Sequence, residues 1–458
     1  TGQQNLVLMS EQQELSIGQQ AHRQTLQEYR VYNDPALQQY VDAVGQRLAA
    51  ASHRADLTYT FTLLDSPEIN AFALPGGFIY LTRGLLSYMN SEAELAAVLG
   101  HEIGHVTARH GVRQASSVQA AQVGAGLLSI FVPQLRNRQA NQTLGMLSTA
   151  LIRGYGREHE LEADRLGADY LRATDYDPKA MLDVIRTLKN NELLDQQLAR
   201  LEGREPRAYH GVFSTHPDND TRLQAAIGHT AATDGGERQR ERFLNQIDGL
   251  VFGENPAEGV FVNNRFVHPD LNISFTIPTQ WQGQNNSDQI IIADRNQQAI
   301  VVVQLAPVEA NTSPQAALTK LGIQGLSRVE PIKPAGLDGV TGLAQVKAGG
   351  QARPARVSAI ISGRYLYIIS GLTRDAGKLG AYDKTFRDIA MSFGPPSASE
   401  LSGIKARQIK VTRLKGPVSW SALAAASPIE KLPEAQLRML NAAEGDAAPA
   451  GERIKIIE

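Results

Sequence analysis

His101-Glu102-Ile103-Gly104-His105, carried in the run Ser91–Arg109 (SEAELAAVLGHEIGHVTAR), places two histidines four residues apart. Ser91 with Glu94 three residues later is a capping-box start, which predicts a helix over Glu92 to Arg109. Residues four apart on a helix stand one turn above each other on one face. Two imidazoles so placed reach a single zinc ion at about 2.0–2.1 Å. Glu102 falls at the edge of that face, where its carboxylate meets a metal-bound water without taking a metal position. Leu95, Leu99 and Val106 lie on a different stripe and are expected in the core. A helical face carrying two unrelated histidines is the competing explanation, so the motif needs a third ligand.

That ligand is expected from Arg157-Glu158-His159-Glu160-Leu161-Glu162-Ala163-Asp164. A catalytic zinc takes three protein ligands and keeps one position open. Glu160 supplies the third ligand from a second helix. Asp164, one turn further on the same face, accepts the free ring N–H of a ligand histidine and fixes its tautomer. Gly167 continues the stripe and lets the two helices approach closely. Glu158 and Glu162 are expected as solvated charges. His110 and His159 are expected at the surface or behind the ligands, since His159 points about 100° away from Glu160. His22, His53, His210, His229 and His268 have no metal spacing.

With both segments in view, the chain resembles the gluzincin peptidases that include the CAAX prenyl protease, HtpX and the periplasmic enzyme BepA. The resemblance is carried by Asn70-Ala71-Phe72-Ala73-Leu74-Pro75-Gly76-Gly77, Ser91 to His105, Glu160 to Asp164, and Ser214-Thr215-His216-Pro217 followed by Arg222. It implies one Zn2+ ion, with the third ligand on Glu160 rather than Glu158 or Glu162, and Glu102 as the general base of a zinc endopeptidase. It implies that Asn70, Ala71, Phe72 and Ala73 bind substrate, the strand pairing with an extended peptide. It also places His216 and Arg222 near the active site. Three roles stay open there: His216 as a fourth ligand that holds the enzyme latent, His216 and Arg222 as catalytic oxyanion donors, or a mere helix start. The implied substrates are exposed, misfolded or misassembled envelope proteins in a bacterial periplasm or at the periphery of the outer membrane. The alternative is a chaperone or assembly factor with a closed or regulated metal site.

Composition agrees with this class and excludes others. The 458 residues exceed one ordinary core. Lys and Arg number 45 against 47 Asp and Glu, a net charge of −2, which gives no excess of cations for neutralising nucleic-acid phosphates. The absence of cysteine removes disulfides, thiol nucleophiles and thiolate metal sites. The chain begins at Thr1, as expected if a leader has been removed. The apolar run Val123 to Val132 is too short to span a bilayer, so the chain is expected to be soluble.

The organisation that follows is multidomain. Residues 1–255 read as a mainly α, zincin-like peptidase domain with a small sheet. Within it the Ala/Gly-rich stretch Gln114 to Ala150 reads as a helical hairpin, serving as a lid, a membrane-facing element or a buried pair. Residues 259–396 alternate β-branched runs with two helical stretches and read as an α+β domain. Phe266-Val267-His268-Pro269, Ile277-Pro278 and Trp281 give that domain a weak resemblance to PsbP. Residues 403–458, with Ser419-Trp420, Leu440-Asn441 and Pro449-Ala450-Gly451, resemble a degenerate LysM module, which implies contact with cell-wall glycan.

Overall fold

Glycine and alanine on one face of a buried helix let a second helix lie directly against it, and this contact organises the first half of the chain. The computed structural model describes residues 10–114, 155–202, 235–285, 289–323, 325–348 and 351–458. They form two bodies, Thr1–Gly253 with Arg407–Glu458, and Glu254–Ala406. The predicted hairpin, apart from its first residue, and His210, His216, Arg222 and His229 lie outside the described residues.

In the first body, α1 (Glu11–Glu28) and α2 (Pro35–Ala50) precede the sheet. Asp34 caps α2 by accepting from the Leu37 N–H, with Pro35 at the first helical position. Three strands follow, β1 (Thr60–Leu64), β2 (Ala71–Leu74) and β3 (Phe78–Thr82), in the order β1-β3-β2. β1 runs parallel to β3; β2 runs antiparallel to it, with Phe72 opposite Tyr80 and Leu74 opposite Phe78. The β2–β3 turn requires glycine. Gly76 and Gly77 have φ of +82° and +93°, and a Cβ on Gly77 would come 2.7 Å from the Thr58 carbonyl.

After α3 (Arg83–Tyr88), α4 (Glu92–Thr107) runs through the middle of the body and is buried from Glu92 to Val106. Leu95, Leu99 and Val106 pack in the core as their stripe predicts. Ser91 caps α4 by accepting from the Glu94 N–H at 3.3 Å. The Glu94 carboxylate reaches past the cap to the Asn90 N–H at 2.9 Å, one residue before the position a capping box requires. Against α4 lies α5 (Arg157–Ala173). A Cβ on Gly104 would come 2.9 Å from the Ala163 carbonyl, and one on Gly167 would come 3.0 Å from the His101 nitrogen. α6 (Lys179–Glu202), α7 (Arg240–Ile247) and β4 (Val251–Phe252) complete this part.

The tail does not stand alone. Its strand Arg407–Arg413 pairs with β4 on one side and with Arg453–Ile457 on the other. Ile409, Trp420, Leu437, Leu440, Ile454 and Ile457 enter the same core as Leu95 and Leu99 of α4. A segment of this length has little capacity for a core of its own. Packing in the first body accounts for Trp420 and its apolar neighbours without a glycan.

The second body is β-rich. A seven-stranded antiparallel sheet runs in the order Ser327–Ile332, Gly339–Ala348, Gln351–Ser362, Tyr365–Thr373, Ala299–Pro307, Gln289–Asp294, Trp281–Asn285. Alternation along the strands feeds two cores. Ile292, Val301, Tyr367 and Ile369 pack with Phe386 and Ile389 of the helix Leu379–Met391. Val357, Ala359 and Leu366 pack with Leu318 of the helix Pro314–Lys320. A three-stranded sheet joins Val260–Val262, Arg265–His268 and Ile273–Thr276. No described helix is long and apolar enough to cross a membrane.

Candidate metal centre

The α4–α5 contact brings His101, His105 and Glu160 together, and all three are buried. Nε2 of His101 and Nε2 of His105 face each other at 2.9 Å. The two Glu160 oxygens lie 3.5 Å from them, Oε2 from His101 and Oε1 from His105. Donors held about 2.0–2.1 Å from a tetrahedral centre stand about 3.3 Å apart. The observed separations bracket that edge length, so the donor set fits a four-coordinate divalent cation.

Proton placement supports the fit. Nδ1 of His101 lies 2.8 Å from Asp164 Oδ1, so Nδ1 carries the hydrogen and Nε2 presents a lone pair inward. Two imidazole lone pairs and a carboxylate aimed at one point repel each other unless a cation lies between them. Glu102 is buried next to His101 on α4. The Tyr155 ring stacks on His105 with centroids 4.0 Å apart. Burial raises the Tyr155 phenol well above the ordinary tyrosine range, and the charges of Glu102 and Glu160 push it further.

His110, expected at the surface or behind the ligands, lies behind His105, and Glu162, expected as a solvated charge, is drawn in beside it. His110 is fully buried, and its Nδ1 lies 2.8 Å from Nδ1 of His105. Burial pushes its pKa down to about 4, with the neighbouring His159 adding to the effect and Glu162 opposing it. Glu162 meets His110 Nε2 at 3.2 Å and Arg113 at 3.1 Å. Burial works against the Glu162 charge, but those two hydrogen bonds hold its carboxyl below the usual range. His159 stacks on His110 with centroids 4.3 Å apart. A histidine five residues beyond a ligand is the only sequence signal for this arrangement.

The expected substrate strand is β2, the edge strand of its sheet among the described residues. Ala73, Leu74 and Pro75 line a shallow recess, open to solvent, together with His105, Arg109 and Tyr155. Phe72 stacks on Tyr80 with centroids 4.7 Å apart. Asn70 is tied into the sheet end: its N–H donates to Thr82 Oγ1 and its carbonyl accepts from the Thr82 N–H.

Residues 35–230 match peptidase family M48 and contain every member of this cluster. This segment belongs to peptidase family M48. The M48 segment is a metallopeptidase domain with its histidines one helical turn apart and a buried glutamate beside them. Over 221 residues the chain is 34% identical to the beta-barrel assembly-enhancing protease of Escherichia coli, covering 47% of this chain and 43% of that protein. Over 216 residues it is 27% identical to the mitochondrial metalloendopeptidase OMA1 of Schizosaccharomyces pombe, covering 46% and 59%. The chain thus spans about half the length of these curated relatives. The solution structure of cyanobacterial PsbP from Synechocystis aligns with 30% of this chain and 95% of its own, at 15% identity and a TM-score of 0.24, a value that carries no assignment.

Proposed function

We propose that the M48 domain is a zinc-dependent endopeptidase in which His101, His105 and Glu160 hold one zinc ion and Glu102 is the general base. The observation that supports this most directly is the convergence of the three donors at tetrahedral spacing. Bound zinc polarises a scissile carbonyl and lowers the pKa of water toward about 7. The chain supplies the rest. Glu102, at the edge of the ligand face, takes the proton of the attacking water and delivers it to the leaving amine. Asp164 keeps the His101 hydrogen on Nδ1. In this reading an extended peptide adds as a strand beside β2, the edge strand among the described residues, whose end at Ala73 and Leu74 shares the recess with His105. Main-chain pairing reads little sequence, so unfolded segments of many proteins serve as substrates.

The substrate class follows from the relative named as a beta-barrel assembly-enhancing protease. The reading extends to exposed or misassembled envelope proteins, in the periplasm or at the outer-membrane periphery. The same name supports a second reading, an assembly factor whose metal site is regulated through His216. Digestion of casein by the purified chain, with and without chelator, separates the two. Parent protein is expected to cleave and to stop when zinc is removed. Glu102→Gln is expected to keep one zinc per chain and to cleave at least about 100-fold more slowly. Parent-like turnover by that zinc-loaded variant defeats the general-base role. His216→Ala should raise activity if His216 is a latch and abolish it if His216 is catalytic.

A further inference from the structure

His101 has its Nδ1 against a carboxylate, Asp164 Oδ1 at 2.8 Å. Nδ1 of His105 meets an imidazole instead, Nδ1 of His110 at 2.8 Å, and Nε2 of His110 stands 3.2 Å from Glu162 Oε2. A His105 that offers its Nε2 lone pair to a metal carries its hydrogen on Nδ1. That hydrogen points at Nδ1 of His110, which must then be the bare nitrogen. The His110 hydrogen is left on Nε2, where Glu162 accepts it. A single placement of protons satisfies both links.

We infer that His110 and Glu162 are positioning residues of the metal site, a relay that fixes the tautomer and ring plane of His105 as Asp164 fixes His101. The backbone is built for this. In a continuous helix His110 would stand about 140° around the axis from His105. α4 stops at Thr107, and Arg109 adopts φ +56°, a left-handed conformation at a residue that is not glycine. The chain turns there and returns His110 to the ligand. Rings hold the planes: Tyr155 stacks on His105, and His159 on His110. Both arms draw their carboxylates from α5, which also carries Glu160, so one helix supplies a ligand and orients the other two.

The inference rests on the zinc reading of the site, and the test separates the two. Zinc affinity of the full chain is measured by competition with a chromophoric chelator. His110→Phe keeps a ring against His159 and removes both nitrogens. It is expected to weaken zinc binding about 10–100-fold. Glu162→Ala is expected to weaken it by a smaller factor, and Glu162→Gln to restore it, because an amide oxygen still accepts from Nε2. An effect that acted only through the Arg113 ion pair would not be rescued by glutamine. Nitrogen-15 spectra of the histidines in the zinc-loaded parent should show hydrogen on Nδ1 of His105 and Nε2 of His110. A parent chain that takes up no zinc defeats the metal reading. A parent that binds zinc while His110→Phe and Glu162→Ala match it within about twofold overturns the relay alone. So does a His110 that carries its hydrogen on Nδ1. If His110→Phe fails to fold, the Glu162 pair and the spectra decide.

Discussion

At the scale of single residues, Lys455 shows a polar group placed where it is costly and satisfied there. Lys455 has no exposed surface, and its Nζ donates to the carbonyls of Ser87 at 2.7 Å and Met89 at 2.6 Å. Burial holds its pKa well below the lysine norm, while the Glu94 charge works the other way. Lys455→Met leaves two buried carbonyls without this donor. Leaving buried acceptors unsatisfied costs about 1–3 kcal/mol for each group. A lower urea midpoint with an unchanged slope is the expected result, and an unchanged midpoint would contradict it. Nothing in Arg453-Ile454-Lys455-Ile456-Ile457 announces this role, since a lysine in an alternating strand normally faces water. The metal-type residues were legible for the opposite reason. His101, His105, Glu160 and Asp164 obey helical spacing, which local sequence carries. For His110 spacing left the surface and the place behind the ligands both open, because its contact depends on the left-handed turn at Arg109, which no glycine marks.

Between elements, the α4–α5 contact decides whether Glu160 reaches the histidines. Gly167 was readable as a point of close approach; Gly104, inside the motif itself, is the tighter one. A Cβ there meets the Ala163 carbonyl at 2.9 Å, and backbone cannot rotate away as a side chain can. Gly104→Ala therefore pushes α5 outward, with Glu160 and Asp164 on it. The expected cost in stability is about 1–3 kcal/mol, with a loss of zinc affinity that competition titration detects. Gly100→Ala is the comparison. Its nearest neighbour is a Leu171 methyl at 3.3 Å, which moves by rotation. Zinc affinity near that of the parent is expected, and equal losses in the two variants would show that the helix spacing is not what sets the site. The ends of α4 were less readable than its face. The Glu94 carboxylate accepts from the Asn90 N–H rather than the Ser91 N–H, and the helix stops two residues before Arg109. Both depend on how the chain enters and leaves the helix, which tertiary packing sets.

Across the whole molecule, the first body is assembled from the two ends of the chain. Composition separated the helical first part from the β-rich segment after it, because the period of apolar residues changes from one to the other. The same local signals made the tail look independent, since the partner strand β4 lies far away in sequence. Arg407 pairs with Phe252, so the chain leaves the first body and re-enters it on neighbouring strands, the geometry of an inserted domain. Six large tail residues, Ile409, Trp420, Leu437, Leu440, Ile454 and Ile457, are buried in the shared core. Burying each is worth about 1.5–3 kcal/mol, and together they match the roughly 5–15 kcal/mol that stabilises a typical domain. Residues 1–253 expressed alone should therefore fail to fold. Residues 254–406 alone, with both of their own cores, should give sheet-type circular dichroism and a cooperative melt. Joining 253 to 407 through a short linker, without the β-rich body, should restore a folded chain that binds zinc. A stable, zinc-binding 1–253 fragment would show instead that the tail is dispensable to the peptidase core.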